Sequence, residues 1–278
     1  MEYNIGDVSK ILNISKEMIR YYEKQGALKP SRKEENNYRT YSTMDVFFLM
    51  EMLRYQTVGL SVKEISSLLE NNYMDNYANY LDRYYHALQK EIDFKHLLKE
   101  RIKEMAIRAK TSQMNLGKYW FKEIPAHDLF FLCNATDDEY DRIHFNEHDK
   151  EVLFDGDNFA FFESMILFEE EKNTWWYGIN KEYSSALSIS YDTGKTIEKE
   201  LCLCTMIDMG EVGEFNRELL NPIYEYIKEN NYTINGTIRG MIVCRGYQNN
   251  VFQRILEVQV PIKHWNTFNV FLGFFRAI

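Results

Sequence analysis

The stretch Ile5-Gly6-Asp7-Val8-Ser9-Lys10-Ile11-Leu12, then Asn13-Ile14, then Ser15-Lys16-Glu17-Met18-Ile19-Arg20-Tyr21-Tyr22-Glu23-Lys24-Gln25, closed by Gly26, decides how this chain is read. Ile5, Val8, Ile11 and Leu12 recur at helical spacing, which predicts a short amphipathic helix. Asn13 and Ile14 break it. Ser15 then has the chemistry of an N-cap: its hydroxyl can accept from a free amide of the first turn, and Glu17, Met18 and Ile19 continue a second helix to about Gln25. Gly26 is a natural stop. Two short helices joined by a tight turn, the second carrying Lys16, Arg20, Tyr21 and Tyr22, predict a helix-turn-helix whose second helix enters the major groove of DNA.

Lys29-Pro30 is followed by a polar loop and by Tyr38-Arg39-Thr40-Tyr41-Ser42. Asn36-Asn37 between two extended pieces reads as a hairpin turn, so a two-stranded wing presenting Tyr38 and Arg39 is expected. Thr43 and Asp45 offer helix-start chemistry before Val46, Leu49, Met50 and Leu53, and Arg54 falls near the end of that helix. Gly59 interrupts the pattern, and Ser61 with Glu64 makes a capping box for a fourth helix through Leu69.

The run IGDVSKILNISKEMIRYYEKQGALKP, with NNYRTYSTMDV and LRYQTVGLSVKEISSLL behind it, resembles the DNA-binding domain of MerR-family transcriptional regulators over about the first 70 residues. The resemblance implies a symmetric dimer that binds a palindromic promoter duplex and distorts it, with RNA polymerase as the partner there. The candidate DNA contacts are Ser15, Lys16, Arg20, Tyr21, Tyr38, Arg39 and Arg54. Arg20 can pair with a guanine edge or a phosphate, and the tyrosines can donate to phosphates while packing on sugars. Ile19 and Tyr22 share a face, so Tyr22 should be at least partly buried and Tyr21 more exposed.

Residues 77 to 110 contain no Pro or Gly and carry Tyr77, Leu81, Tyr84, Leu88, Ile92, Leu98, Ile102, Met105 and Ala109 at steps of three or four where they recur. One long helix of about 50 Å follows. Glu91 and Lys95 interrupt a strict heptad, which predicts a short coiled-coil dimerisation seam, antiparallel as the resemblance also implies. A bundle helix inside one subunit is the alternative.

Beyond Gly117 extended segments recur at residues 119–124, 130–134, 159–168, 175–179, 186–191, 201–206, 236–243 and 254–261, with a helix expected from Phe215 to Glu229. This is an α+β pattern. The order LCLCTMID, NRELLNPIYEYIKENN, GTIRGMIV, RILEVQVPI resembles the GyrI-like ligand-binding domain that follows MerR-type heads in multidrug-sensing regulators. In the last strand Ile255, Glu257 and Gln259 share one face. The resemblance implies that Glu257 faces the ligand cavity as counter-charge to an organic cation, although Arg239-Gly240 stands where some members carry a drug-contacting acid. Trp175, Trp176 and Tyr177 offer faces for aromatic ligands or cations, with Trp175 and Tyr177 on one side of the strand and Trp176 on the other. Tyr183, Tyr224, Tyr247 and Phe252 complete the candidate ligand-binding set, with core packing as the competing reading for each aromatic. Trp265 and the stretch 264–278 have no functional account.

The fold expected is therefore multi-domain: an all-α winged helix-turn-helix head (1–72), a long coiled-coil dimerisation helix (73–117) and a C-terminal α+β GyrI-like domain (118–278). With 278 residues, 45% of them hydrophobic, and only four prolines and thirteen glycines, the chain is too apolar and too poor in breakers for a disordered or linker protein. Lys and Arg balance Asp and Glu at 10 against 10 up to residue 70, whereas residues 118–278 hold 15 against 26, so a phosphate backbone should meet the front of the chain. No uncharged apolar window of membrane-spanning length and no signal core is apparent, which points to the cytoplasm and to no membrane partner. Cys133, Cys202, Cys204 and Cys244 read as core or strand residues, no metal-ligand spacing or phosphate loop is present, and no cofactor is expected. The function these features imply is a dimeric regulator, an activator, that binds promoter DNA and senses a bulky hydrophobic, aromatic or cationic small molecule. The alternatives are a GyrI-like hydrolase, with Glu257 as general base on an electrophilic compound, and a ligand-independent architectural DNA-binding protein.

Overall fold

A computed structural model describes residues 2–32, 37–69, 73–145, 147–154, 156–170, 172–190 and 194–263. The chain forms two compact units, Met1–Glu91 and Ile92–Ile278.

The first unit runs β1 (Glu2–Tyr3), α1 (Ile5–Leu12), α2 (Lys16–Lys24), β2 (Ser31–Arg32), β3 (Arg39–Ser42), α3 (Thr43–Thr57), α4 (Val62–Leu69) and the start of α5 (Tyr73–Ser112). The head is not all-α, as its sequence suggested. Its wing pairs β2 with β3, and β1 adds to the other edge of β3 through Tyr3 opposite Tyr41. Asn37 has φ 55, as a turn residue should, while Asn36 of the expected hairpin lies outside the described residues.

Caps fix the helix starts. The Asn4 side chain accepts from the amides of Gly6 and Asp7, and Asp7 accepts from the Asn4 amide, a reciprocal box before α1. Ser15 accepts from the Met18 amide at 3.1 Å. The third helix starts at Thr43 and is capped by Ser42, whose hydroxyl accepts from the Asp45 amide while Asp45 accepts from the Ser42 amide. Ser61 and Glu64 form the expected box before α4, and their bonds to each other hold the Glu64 carboxyl below its usual pKa. Each cap contributes about 1 kcal/mol. Gly59, at φ +94, admits the α3–α4 turn, and a Cβ there would lie 2.1 Å from the Tyr84 hydroxyl. Val8, Ile19, Tyr22, Tyr41, Leu49 and Met52 form the fully buried centre of this unit.

The helix expected over 77–110 is α5, 40 residues long, and it is continuous across the division between the units. Gly117, at φ +68, follows its end. The second unit then runs β4 (Tyr119–Ile124), β5 (His127–Thr136), β6 (Glu139–Tyr140), α6 (Glu147–Phe154), β7 (Phe162–Phe168), β8 (Asn173–Asn180), α7 (Lys181–Ala186), β9 (Gly194–Ile197), β10 (Glu200–Asp208), α8 (Asn221–Glu229), β11 (Thr233–Ile234), β12 (Ile238–Gln248) and β13 (Val251–Lys263). Three expectations are corrected. Of the strand placed at 186–191, residue 191 lies outside the described residues and the rest begins with the end of α7 and a turn through Ser188 at φ 55, since Asn180 caps a helix there by accepting from the Glu182 amide. Residues 159–161 belong to a 3-10 turn, so the strand starts at Phe162. The helix set at Phe215 begins at Asn221, after a 3-10 turn over Arg217–Leu220 and with Pro222 in its first turn, where a missing amide costs nothing.

The strands form one antiparallel sheet in the order β4-β10-β13-β12-β7-β8-β5-β6, with β9 on β5 and β11 on β13. Its topology is duplicated. In both β5-α6-β7-β8 and β10-α8-β12-β13 the first strand pairs with the last, and the two middle strands, β7 and β12, pair with each other to join the halves. Strand alternation gives the sheet two unlike faces. One carries Leu203, Val258, Val260 and Ile166 against Ile223 and Ile227 of α8, a dry core. The other carries Cys202, Cys204, Arg239, Met241, Glu257, Gln259, Glu163 and Met165, a face where charge is buried among apolar side chains. No helix among the described residues is long and apolar enough to cross a membrane.

Candidate DNA-binding face and sheet clefts

On α2 the buried side is Ile19 and Tyr22, which anchors the helix and turns the opposite side outward. The Tyr22 hydroxyl donates to Gln56, and burial raises its pKa. Tyr21 is 48% exposed, Lys16 is exposed, and Arg20 projects into solvent with one loose ion pair to Glu17 at 3.7 Å. Ser15 accepts one bond in the cap, and its hydroxyl hydrogen is still able to donate to another partner. Tyr38, on the wing, is 72% exposed. Arg39 lies beside it and pairs with Glu23 at 2.7 Å, and Glu23 also accepts from the buried Tyr41 hydroxyl. That pairing fixes the wing against the end of α2. Burial and the Glu23 bond raise the Tyr41 pKa, so Tyr41 is a core residue. Arg54 is exposed near the end of α3, 3.7 Å from Glu51. Lys16, Arg20 and Tyr21 thus share one exposed helix surface, which Tyr38 and Arg39 supplement from the wing. A concavity of about 790 Å³ between α4 and α5 is lined by Glu64, Asn79, Tyr80, Arg83 and Tyr84 among others and contains none of these candidates.

The ligand-binding candidates are scattered by the sheet. Trp175 is buried in the dry core against Tyr140, and its indole N–H has no partner among the described residues. Trp176 points to the other face, donates to Thr174 and lies under the Lys195 ammonium at 4.6 Å. Tyr224 is partly exposed on α8, and Tyr247 with Phe252 forms a ring pair on the β12–β13 hairpin. Glu257 is 1% exposed. Its Oε1 accepts from Lys122 at 3.2 Å and from Gln259 at 2.9 Å, so its charge is already met and it lines neither of the clefts described below. Glu257 thus meets Lys122 and Gln259 in this structure, where a cavity-facing counter-charge was expected. Arg239, fully buried, donates to Gln259 at 3.0 Å and pairs with Glu200.

Tyr177 and Tyr183 do border clefts. Where β7 meets β12, the last turns of α5 lie against the sheet: Arg101 donates to Glu163 at 2.7 Å and to the Ala160 carbonyl at 3.2 Å, and Arg108 pairs with the same Glu163 oxygen and reaches Met241 Sδ at 3.4 Å. One cleft of about 350 Å³ is lined by Arg101, Arg108, Lys122, His127, Glu163 and Tyr183 with neighbouring apolar groups. A second, about 260 Å³, is lined by Arg101, Arg108, Glu163, Tyr177, Phe159 and Arg245 among others. Burial alone raises the Glu163 pKa, but Arg108 and Arg101 outweigh it and hold the carboxyl below its usual range. Burial lowers the His127 pKa against the pull of Glu163, which keeps the imidazole neutral near pH 7. Burial, then the bond to Glu104, pushes the Tyr183 phenol up to about 12.

Sequence reasoning missed Arg101, Arg108, Lys122, His127 and Glu163. Two signals were there: Glu163 is a lone acid in the apolar strand Phe161-Phe162-Glu163-Ser164-Met165-Ile166-Leu167, and Arg101 and Arg108 stand one heptad apart on the long helix.

The head is thus a helix-turn-helix with a winged sheet whose second helix turns Lys16, Arg20 and Tyr21 outward. Residues 4–41 match the family model described as MerR family regulatory protein. The same region is similar to heavy metal-dependent transcription regulator 2 of Rhizobium meliloti, 44% identical over 66 residues that make up 24% of this chain and 45% of that protein. It is also similar to the mercuric resistance operon regulatory protein of Bacillus cereus, 36% identical over 69 residues, 25% of this chain and 52% of that one. The chain spans about half the length of these curated relatives. Among solved structures, that of the EcmrR-DNA complex in EcmrR-RPo aligns over 94% of this chain and 99% of its own, with 16% identity and a TM-score of 0.39.

Proposed function

We propose that the protein is a transcription regulator, an activator, that binds a palindromic promoter duplex as a homodimer and responds to a small hydrophobic or aromatic effector. The observation that carries the reading is the Lys16–Arg20–Tyr21 surface of α2, held outward by buried Ile19 and Tyr22 within a segment that matches the MerR family model. Arg20 reads a base edge, while Lys16, Tyr21, Tyr38, Arg39 and Arg54 position the phosphates. RNA polymerase is the partner at the promoter, and the cytoplasm the compartment. Dimerisation through α5 is supported by exposed Tyr85, Leu88, Ile92, Ile102 and Met105, a stripe at steps of three and four broken by polar residues in its middle. Effector control is supported by the two clefts at Arg108, bordered by Tyr177 and Tyr183, in a domain of GyrI-like kind. Distorting a duplex of this length costs several kcal/mol, a scale that differential ligand binding can supply. Selection of binding sites from a random duplex pool, followed by mobility shift, tests the reading: enrichment of a palindrome is expected, and equal affinity for all sequences would overturn it.

A further inference from the structure

We propose that the two clefts flanking Arg108 are one binding site for an aromatic organic anion, its charged group held by Arg108 and Lys122. The inference rests on the proposed effector role of this domain and adds the charge of the ligand.

The charges around the clefts set the sign. Arg101, Arg108, Lys122 and Arg245 line them, against the carboxylates of Glu104 and Glu163. Glu163 is buried, and a single oxygen of it serves both Arg101 and Arg108. Two guanidiniums therefore share one buried carboxylate. Glu104, 3.7 Å from Arg101 and bonded by Tyr183, is half exposed on the rim, where water screens it. Glu257 ion-pairs with Lys122 and also attracts Arg108, so the three carboxylates stand against four cationic side chains. His127 adds no charge while neutral. The balance leaves positive charge at Arg108, which is partly exposed to the clefts and so within reach of a ligand.

Arg108 is also incompletely used. Its bonds to Glu163 and Met241 leave from one terminal nitrogen, and among the described residues its Nε and second terminal nitrogen donate to nothing. A guanidinium carries five N–H donors in a planar fork, and a carboxylate or sulfonate accepts two of them in parallel. The body of the ligand has apolar walls to meet: Phe161, Ile107 and Pro125 in one cleft, Phe159, Phe162 and Tyr177 in the other. A cation finds no free acid here, since Glu163 and Glu257 are both paired.

The experiment is calorimetric titration of the full chain, without DNA, with 2-naphthoate, 2-naphthamide and (2-naphthyl)methylammonium. Naphthoate is expected to bind at least about tenfold more tightly than either analogue, and Arg108→Gln to remove about 10- to 100-fold of that affinity while leaving the amide within about twofold. Because Arg108→Gln alters the Glu163 pair, Arg108→Lys serves as the second variant. It keeps the charge beside Glu163 and the thermal midpoint, but loses the fork and part of the naphthoate affinity. The proposal is overturned if the ammonium binds as tightly as naphthoate, if naphthoate gives no binding at millimolar concentration, or if Arg108→Lys, folded, binds naphthoate like the parent. Failure here leaves the DNA reading standing, and loss of specific duplex binding leaves the calorimetric result untouched.

Discussion

Replacing Glu163 by Gln should unfold the C-terminal unit at a markedly lower temperature. The Glu163 and Arg101 side chains are 8% and 6% exposed, and Arg108, on the same oxygen, is 24% exposed. The substitution keeps shape and one acceptor but takes the nearest counter-charge from two guanidiniums, one of them almost fully desolvated, and leaves them the looser attraction of Glu104 and Glu257. Breaking a buried pair from one side costs about 3 to 5 kcal/mol, and the surviving amide acceptor and partial hydration of Arg108 place the expected loss near 3. For a unit of this size that corresponds to roughly 6 to 12 °C in Tm. All four tryptophans lie at or beyond Trp120, so indole fluorescence follows this unit and not the head. The pH dependence has a definite sign. The folded pKa of Glu163 is depressed below the unfolded value of about 4.3, so its contribution is present above that value and lost as pH falls through the folded pKa. The gap between parent and variant should be constant from pH 5 to 8 and close below about pH 4. Replacing all three residues together, Arg101→Met, Arg108→Met and Glu163→Leu, should recover most of the loss, because no buried charge remains unpaired. A Tm change under about 1 °C for Glu163→Gln would refute the cluster as a buried charge network.

Arg20→Ala should weaken specific duplex binding by about 1 to 3 kcal/mol and relax the preference at one base position, whereas Arg54→Ala should weaken all sequences alike and lower the salt slope by about 1. Equal losses on specific and random duplex for Arg20→Ala would make it a phosphate contact. Gly59→Ala should destabilise the head by more than about 1 kcal/mol, from the positive φ and from the Tyr84 hydroxyl in the path of the new Cβ, as read by amide exchange in α3 and α4; unchanged protection would contradict that packing. Burial pushes the Cys133 thiol up to about 11 and Cys202 to about 12, and raises Cys204 further, while Cys244 is only half-buried. A thiol reagent at pH 8 should therefore titrate one fast cysteine in the folded protein, lost in Cys244→Ser; two or more fast thiols would mean that the sheet face is open to solvent.

How much could be read in advance depended on how local the controlling interactions were. Ser15, Glu64 and Gly59 act within one turn of chain, and the spacing of Ile19 and Tyr22 fixes which side of α2 is buried, so the helix-turn-helix and its outward Arg20 and Tyr21 were legible in sequence. The extra strand β1 was not, because Tyr3 pairs with Tyr41 across 38 residues. The alternation in β13 correctly put Glu257 and Gln259 on one mixed face, but no pattern along that strand could say that Lys122, on β4, would be there to neutralise the acid. The aromatics show the same division: Trp175 and Tyr177 share a strand face, yet one is sealed in the core under α8 and the other borders a cleft, since cover depends on which helix lies above. Sequence by itself determined the head, the long helix and the strand-rich rear, since caps, periods and turns are short-range physics. Only the tertiary structure decided that Arg101 and Arg108 of the helix would meet Glu163, 62 and 55 residues further on, because a buried charge is placed by whichever distant element can pair it.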